Sequence, residues 1–235
     1  MKKSDFIRGL LAGIPICLGY LSVSFTFGIF AVDSGLTLWQ TLLISMTCVT
    51  SAGQLAAVPI MTGGGGLLEL AMSQLVINLR YSLMSVSLSQ KLDGSVKLRD
   101  RFLIAFVNTD EVFAVASAQR SVSKWFQYGL MLTPWLGWAA GTALGAAAGN
   151  ILPALVTDAL GIAIYGMFIA IVVPEAKKSR PTLICVLVAV ALSCLFAWMP
   201  VLKQIPTGFT VILCAVGASA LMAALAPIEV EESHE

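Results

Sequence analysis

The chain has 235 residues, of which 58% are hydrophobic and only 11% are charged, with a formal net charge of +1. Soluble domains carry about 25% charged residues, so this composition, with a mean hydropathy of +0.89, indicates a membrane protein and gives no sign of a nucleic-acid partner. The only histidine is His234 in the tail, which argues against haem and His-based zinc sites. We therefore expect no metal and no cofactor.

Eight apolar segments follow one another with short polar connections between them. They span residues 9–32, 36–61, 67–89, 102–119, 125–149, 155–174, 181–200 and 207–227. Because about 20 apolar residues suffice for one helical crossing of a bilayer, the pattern predicts an all-α polytopic membrane protein. We therefore predict a single transmembrane domain over residues 1–227 and a short acidic cytoplasmic tail over residues 228–235. The first segment is long enough to be a retained span, with a cleaved leader as the alternative.

Lysine and arginine in short loops favour the cytoplasmic side of a membrane. If all eight segments cross with the N-terminus inside, the strongly basic loop of residues 90–101 falls outside. If segments 36–61 and 102–119 each enter and leave on one side, nearly all basic residues and both termini fall inside. We therefore predict six full spans plus two broken or re-entrant segments, with both termini on the cytoplasmic side of the membrane. A kinked but ordinary crossing is the alternative for each of the two.

The residues of these two segments suit a broken helix. Gly53 and Pro59 interrupt segment 36–61, and polar groups such as Gln54 can bond the freed backbone. Segment 102–119 is short and carries the cluster Asn108 to Glu111. In many secondary transporters the amino ends of broken helices attract carboxylates, and exposed carbonyls accept cations or ammonium groups.

Three ionisable residues lie deep in apolar stretches: Arg80, Asp110 and Glu111. Each costs about 2.5–3.5 kcal/mol on insertion scales, so they are expected to face a protein interior or a water-filled path. Burial and mutual repulsion favour a proton on at least one of the adjacent acids, which makes Asp110 and Glu111 candidate proton-coupling residues. The alternative is that one acid pairs with Arg80 while the other points to the membrane interface.

Segment 67–89 presents polar groups on two helical faces. Asn78 and Arg80 are about 200° apart on a regular helix; Gln74, Asn78, Tyr81 and Ser85 share one face. Arg80 offers a planar fork suited to a carboxylate, or it only joins helices through a salt bridge. The candidate substrate-binding residues of the whole chain are Gln54, Asn78, Arg80, Tyr81 and Asn108. We expect an apolar wall from Tyr20, Phe25, Phe27 and Met84.

Segment 125–149 carries a glycine at every fourth position. These glycines are Gly137, Gly141, Gly145 and Gly149. A strip of small residues lets another helix approach closely. The strip is therefore predicted to pack either against another helix of the chain or against a partner subunit.

Several short motifs occur in order over residues 9–115. They are Gly13-Ile14-Pro15, Gly19-Tyr20, Phe27-Gly28, Ser51-Ala52-Gly53-Gln54, Asn78-Leu79-Arg80-Tyr81-Ser82-Leu83-Met84 and Thr109-Asp110-Glu111-Val112-Phe113. By these motifs the chain resembles the AzlC family, the large subunits of bacterial branched-chain amino acid exporters. The resemblance implies export of hydrophobic amino acids, coupled to protons, together with a small AzlD-like membrane subunit.

The sequence thus predicts a subunit of a secondary transporter, with a membrane channel or a non-transporting scaffold as the alternative. An enzyme is disfavoured because no histidine is available as a base and the adjacent acids Asp110 and Glu111 point in different directions around a helix.

Overall fold

The fold, taken from a computed structural model, is all-helical over the residues that the structure describes, which are 2–149, 166, 169, 172–174 and 176–226. The helices are α1 (Lys2–Asp33), α2 (Leu38–Thr47), α3 (Ser51–Thr62), α4 (Leu67–Ser89), α5 (Leu98–Phe106), α6 (Asp110–Ser117), α7 (Lys124–Gly149), α8 (Arg180–Trp198) and α9 (Thr207–Leu225). Most of predicted segment 155–174, and the acidic tail 228–235, lie outside the described residues.

Helices α1 and α7 form a tightly packed parallel pair at the centre of the fold. A Cβ added at Gly141 would lie 3.0 Å from the Leu21 Cα, and one at Gly145 would lie 2.9 Å from the Phe25 Cα. Contacting residue numbers rise together along the two helices, so the helices run in the same direction. The glycine strip therefore faces α1 within the chain, where side chains larger than hydrogen would hold the backbones apart.

The amino ends of α1 and α7 define one end of the molecule, called here the basic end. Ser123 donates a hydrogen bond to the Asp5 carboxylate (3.1 Å), and the Arg8 guanidinium lies over the Phe126 ring, 5.0 Å from its centroid. The other end, where α1 and α7 finish, is called the distal end.

Helices α2 and α3 form the first hairpin, which enters from the distal end. Residues 48–50 separate the two helices, and Thr50 caps α3 by accepting a hydrogen bond from the Gly53 amide (3.4 Å). On the return path, Val58 packs in an apolar cluster with Ala31 and Leu36 at the distal end. The chain therefore leaves on the side where it entered.

Helices α5 and α6 form the second hairpin, which enters from the basic end. Residues 107–109 separate the two helices. At the start of α5 the Asp100 carboxylate accepts a hydrogen bond from Tyr128 near the start of α7, and at the end of α6 the Ser117 carbonyl accepts one from Lys91. Both ends of this hairpin thus lie at the basic end.

Segments 36–61 and 102–119, which the sequence predicts to be broken, each consist of two helices joined by three non-helical residues. In segment 36–61 the prediction was wrong about the position of the break. Gly53 and Pro59 both lie inside α3, and the break falls at residues 48–50. By length and hydropathy, three helices of the described chain could cross a membrane: Lys3–Asp33 within α1, α8 and α9.

Helix α4 connects the distal end of the first hairpin to the basic end of the second. Helix α9 packs on α4 through the Glu69 carboxylate, which accepts a hydrogen bond from the Gly208 amide (2.8 Å).

Candidate functional site

The two helix breaks meet in the middle of the molecule, with one cavity on each side of them. The larger, about 730 Å³ and here called the large cavity, is lined by residues that begin α3 and α6, together with parts of α1, α4 and α7. The smaller, about 170 Å³ and here called the small cavity, is lined by residues that end α2 and α5. The hairpins therefore present helix amino ends to one cavity and helix carboxyl ends to the other.

The two amino ends at the large cavity differ in charge. Helix α6 begins with Asp110 and Glu111, whereas the first turn of α3 contains no acidic residue. Within the described chain the backbone amides of Ser51 and Ala52 have no acceptor, and both residues line the cavity. Since a helix amino end carries a partial positive charge, this side of the cavity favours an anion and the α6 side favours a cation.

Arg80 and Asp110 form an ion pair across the large cavity. Arg80 Nη1 lies 2.9 Å from Asp110 Oδ2, and both side chains are about half exposed, at 49% and 47%. The second terminal nitrogen of Arg80 donates to the Tyr81 hydroxyl (3.1 Å), and the guanidinium lies 4.9 Å from the centre of the Tyr81 ring. Because the pair remains accessible, a ligand can reach either charge.

Glu111 takes part in a different contact. Its carboxylate is hydrogen-bonded to the hydroxyl of Tyr20, which also lies 2.6 Å from Thr109 Oγ1. Tyr20 is buried and packs edge-on against Trp138, with the ring centroids 5.0 Å apart. One phenol hydrogen cannot serve two acceptors at once, so the direction of this three-member chain depends on whether Glu111 carries a proton.

One face of α4 joins the two hairpins. Gln74 donates to the Gly53 carbonyl of α3 (2.9 Å) and accepts from Asn78 (3.2 Å), while Ser85 accepts from Asn108 (3.1 Å). These are residues of the face that helical spacing predicts. Arg80 lies on a different face of α4 and contacts Asp110 of the second hairpin. Both faces of α4 therefore contact this hairpin.

The five candidate substrate-binding residues lie in three different places. Arg80 and Tyr81 line the large cavity, and Asn78, Tyr81 and Asn108 line the small one. Gln54 lies behind the cavity wall, where it is fully buried, accepts from Trp138 (3.0 Å) and donates to Ser45 (3.0 Å).

The apolar wall of the large cavity differs from the expected one. Of the four predicted wall residues, only Tyr20 is among the lining residues, and the hydrophobic lining comes from Ile16, Val23, Ile77 and Trp138 among others. Sequence reasoning missed Trp138, which no motif singled out. It also missed the role of the Tyr20 hydroxyl, because a lone tyrosine in an apolar helix carries no signal about its partner.

In the part of the chain that the structure describes, no three His, Cys, Asp or Glu side chains converge as a metal-binding group. The lining of the large cavity contains the Arg80 cation, the Asp110 and Glu111 carboxylates, and the unpaired backbone amides of Ser51 and Ala52. This set can hold a small molecule that carries both charges.

Comparisons with known proteins identify a family and several relatives of this chain. A family model described as AzlC protein matches residues 15–152. The chain is 35% identical over 178 residues to an "Uncharacterized membrane protein" of Archaeoglobus fulgidus (75% of this chain, 78% of the relative). It is 28% identical over 187 residues to "Inner membrane protein YgaZ" of Escherichia coli (76% of each chain).

A further relative, "Branched-chain amino acid transport protein AzlC" of Bacillus subtilis, is 25% identical over 171 residues (71% of this chain, 66% of the relative). No solved structure matches the chain significantly.

Proposed function

Because this chain belongs to the AzlC family, we propose that it is a secondary transporter subunit that exports branched-chain and similar hydrophobic amino acids. The family and the Bacillus relative support a role in membrane transport. The observation that carries the proposal is the large cavity, which combines accessible charges of both signs and unpaired helix amides with an apolar wall. Its volume of about 730 Å³ lies within the range of about 300–1,000 Å³ that small-molecule sites occupy.

A zwitterionic amino acid matches the charges of this cavity. Its carboxylate takes hydrogen bonds from the free amides of Ser51 and Ala52 and from Arg80, when Arg80 turns from Asp110. Its ammonium group faces the acids at the start of α6, and its side chain rests on the apolar wall. Arg80 thus acts both as one half of an ion pair and as a carboxylate donor.

The contact of Glu111 with Tyr20 supports proton coupling. When Glu111 is ionised, Tyr20 donates to it and Thr109 donates to the Tyr20 oxygen. When Glu111 takes up a proton, the carboxylic acid donates to Tyr20, which then donates to Thr109. Asp110 is paired with Arg80 at 2.9 Å, a contact that opens when Arg80 turns to the substrate. We propose Asp110 and Glu111 as the proton-coupling residues, with Arg80 and Asp110 also forming a gating ion pair.

The proposed topology has six full spans and two re-entrant hairpins, with the basic end and both termini in the cytoplasm. The hairpins support it because each returns to the end at which it starts. The lysines and arginines at the basic end, among them Arg8, Lys91 and Lys124, agree with the rule that basic loops stay inside.

A small AzlD-like subunit is the proposed partner, following from family membership. Helix α8 supports a further contact in the membrane, since none of its residues is buried within the described chain. We propose transport and not catalysis, because the only histidine, His234, lies in the tail and the adjacent acids Asp110 and Glu111 point in different directions around a helix.

Counterflow in proteoliposomes tests the function against a channel or a scaffold. Labelled leucine should enter vesicles loaded with unlabelled leucine, and an imposed pH gradient should drive net flux. Arg80→Ala should lower exchange at least about tenfold, because about 1.4 kcal/mol of lost binding has that effect.

Lys203→Ala, which changes a basic residue that lines neither cavity, is the matched control. Leucine flux without stimulation by internal leucine would indicate a channel, and no flux in the presence of the small subunit would indicate a scaffold. Leucine flux that does not change with the imposed pH gradient would show that transport is not coupled to protons.

A further inference from the structure

Two residues that line the small cavity, Asn78 and Asn108, each carry a buried side-chain oxygen atom that lacks a hydrogen-bond donor among the described residues. Asn108 is 3% exposed, and its Oδ1 has no partner among the described residues. Asn78 Oδ1 is likewise buried and without a partner in the same set. A buried amide oxygen without a donor costs about 1–3 kcal/mol, so two in one cavity call for a bound species that the protein atoms do not supply.

The orientation of Asn78 is fixed by a chain of hydrogen bonds. The Gly53 carbonyl can only accept, so Gln74 must turn its NH₂ group toward it (2.9 Å). The Gln74 oxygen then accepts from the Asn78 NH₂ group (3.2 Å). Reversing the Asn78 amide would place two oxygen atoms together. Its Oδ1 is therefore an acceptor without a donor, whichever way Asn108 is turned.

The backbone around the small cavity adds further acceptors. The carbonyls of Cys48, Val49 and Asn108 lie in the helix breaks and accept no hydrogen bond within the described chain. Helices α2 and α5 both end here, from opposite ends of the molecule, and each contributes the partial negative charge of its carboxyl end. The field in this cavity therefore favours a positive charge.

From these observations we propose that the small cavity binds a dehydrated monovalent metal cation, with Na⁺ as the first candidate. The cavity lining contains no carboxylate, whereas Ca²⁺ and Mg²⁺ sites are built with carboxylates. Neutral carbonyl and amide oxygens replace the hydration shell of monovalent ions in other membrane proteins. The volume of about 170 Å³ lies below the range of about 300–1,000 Å³ that small-molecule sites occupy.

A cation at this position would lie between the two hairpins and hold the breaks together. It would also be separate from the proposed amino acid site, because the acids and the free amides face the large cavity. The inference therefore does not depend on the proposed function, and it is tested by binding alone.

The test is thermal unfolding of the purified full chain in detergent, in NaCl, KCl, LiCl or choline chloride at equal ionic strength. We expect Na⁺ to raise the Tm above that in choline by about 3 °C or more, the shift that about tenfold excess over Kd gives. Identical Tm values in all four salts would show that the amide oxygens hold water only, and would overturn the proposal.

Variants locate the site. Asn108→Leu should abolish the difference between Na⁺ and choline, and Asn108→Asp should lower the half-saturating Na⁺ concentration about tenfold by adding a negative ligand. The matched control is Gln127→Leu, since Gln127 is also a fully buried amide without a described partner but lines neither cavity. Its salt response should equal that of the unchanged chain. A salt response that survives in Asn108→Leu and is unaltered in Asn108→Asp would place the cation elsewhere and overturn the assignment.

Discussion

The two hairpins share one backbone design and differ in chemistry. Each consists of two short helices around a three-residue break, and each second helix begins directly after a threonine, Thr50 or Thr109. The first hairpin has no charged residue at its break, whereas α6 of the second starts with two acids. The fold thus supplies paired helix ends at mid-depth, while a few side chains decide which charge each end receives.

The hairpins are also held in different ways. The first hairpin is attached through buried polar contacts with α7 and an apolar cluster at the distal end, in which Gln54 bonds Trp138 and Val58 packs on Ala31. The second is attached at the basic end through the Asp100 carboxylate, which accepts from Tyr128 and lies 4.0 Å from Lys124. Stability of the first therefore rests on buried groups, and that of the second partly on charge.

The largest effect is expected when the amino end of α3 receives an acidic residue, as the amino end of α6 already has. Ala52→Asp would place an acid in the first turn of α3, where we propose that the substrate carboxylate binds. Like-charge repulsion costs several kcal/mol, so the leucine concentration for half-maximal exchange should rise at least about tenfold. Ala52→Ser adds a polar atom without charge and is the control. Equal half-saturation in both variants would mean that the carboxylate does not approach α3.

An intermediate effect is expected from the buried attachment of the first hairpin. Gln54→Leu would leave the Trp138 indole N–H without its acceptor, and Ser45 would lose a donor. The free energy of unfolding should fall by about 1–3 kcal/mol, as measured by denaturation in mixed micelles. Gln119→Leu, at a partly exposed position near the basic end, should change it by less than about 0.5 kcal/mol. If Gln54→Leu lowered the free energy of unfolding by less than about 0.5 kcal/mol, the Gln54 side chain would not be needed to hold α3 in place.

The smallest effect is expected at the charged attachment of the second hairpin, and it should depend on pH. The Tyr128 hydroxyl, the Lys97 amide and Lys124 hold the pKa of the Asp100 carboxyl below its usual value. A lowered pKa in the folded state means that the contribution to stability is complete above about pH 4, the unfolded value, and is lost as the pH falls through the folded value.

Asp100→Asn should therefore lower the Tm by the same amount at pH 7 and at pH 5, with a smaller difference near pH 3. Tyr128→Phe removes the same hydrogen bond, so its effect and that of Asp100→Asn should not add in the double variant. A difference between the unchanged chain and Asp100→Asn that grows as the pH falls would contradict the assigned direction of the pKa shift.

Several features of the fold could be predicted from residue patterns. The placement of basic residues and the Asn108 to Glu111 cluster pointed to broken segments, and the structure interrupts both 36–61 and 102–119. Gly53 and Pro59 indicated the wrong position for the first break, because both are accommodated inside α3. The spacing of Asn78, Tyr81 and Ser85 predicted one shared helix face. These features are local, because the rise and rotation of a helix determine which neighbours share a side.

The chain's own sequence determined its membrane character, its family and the presence of charged groups at depth, because hydropathy, motifs and spacing are properties of adjacent residues. The tertiary structure decided that Arg80 pairs with Asp110 while Glu111 contacts Tyr20, that Gln54 stands behind the wall, and that α1 covers the glycine strip. Those outcomes depend on how helices distant in the chain approach one another. The spacing of residues in the sequence does not determine the distances between α1, α4 and α6. Only the packed fold therefore places helix amino ends at the large cavity and helix carboxyl ends at the small cavity.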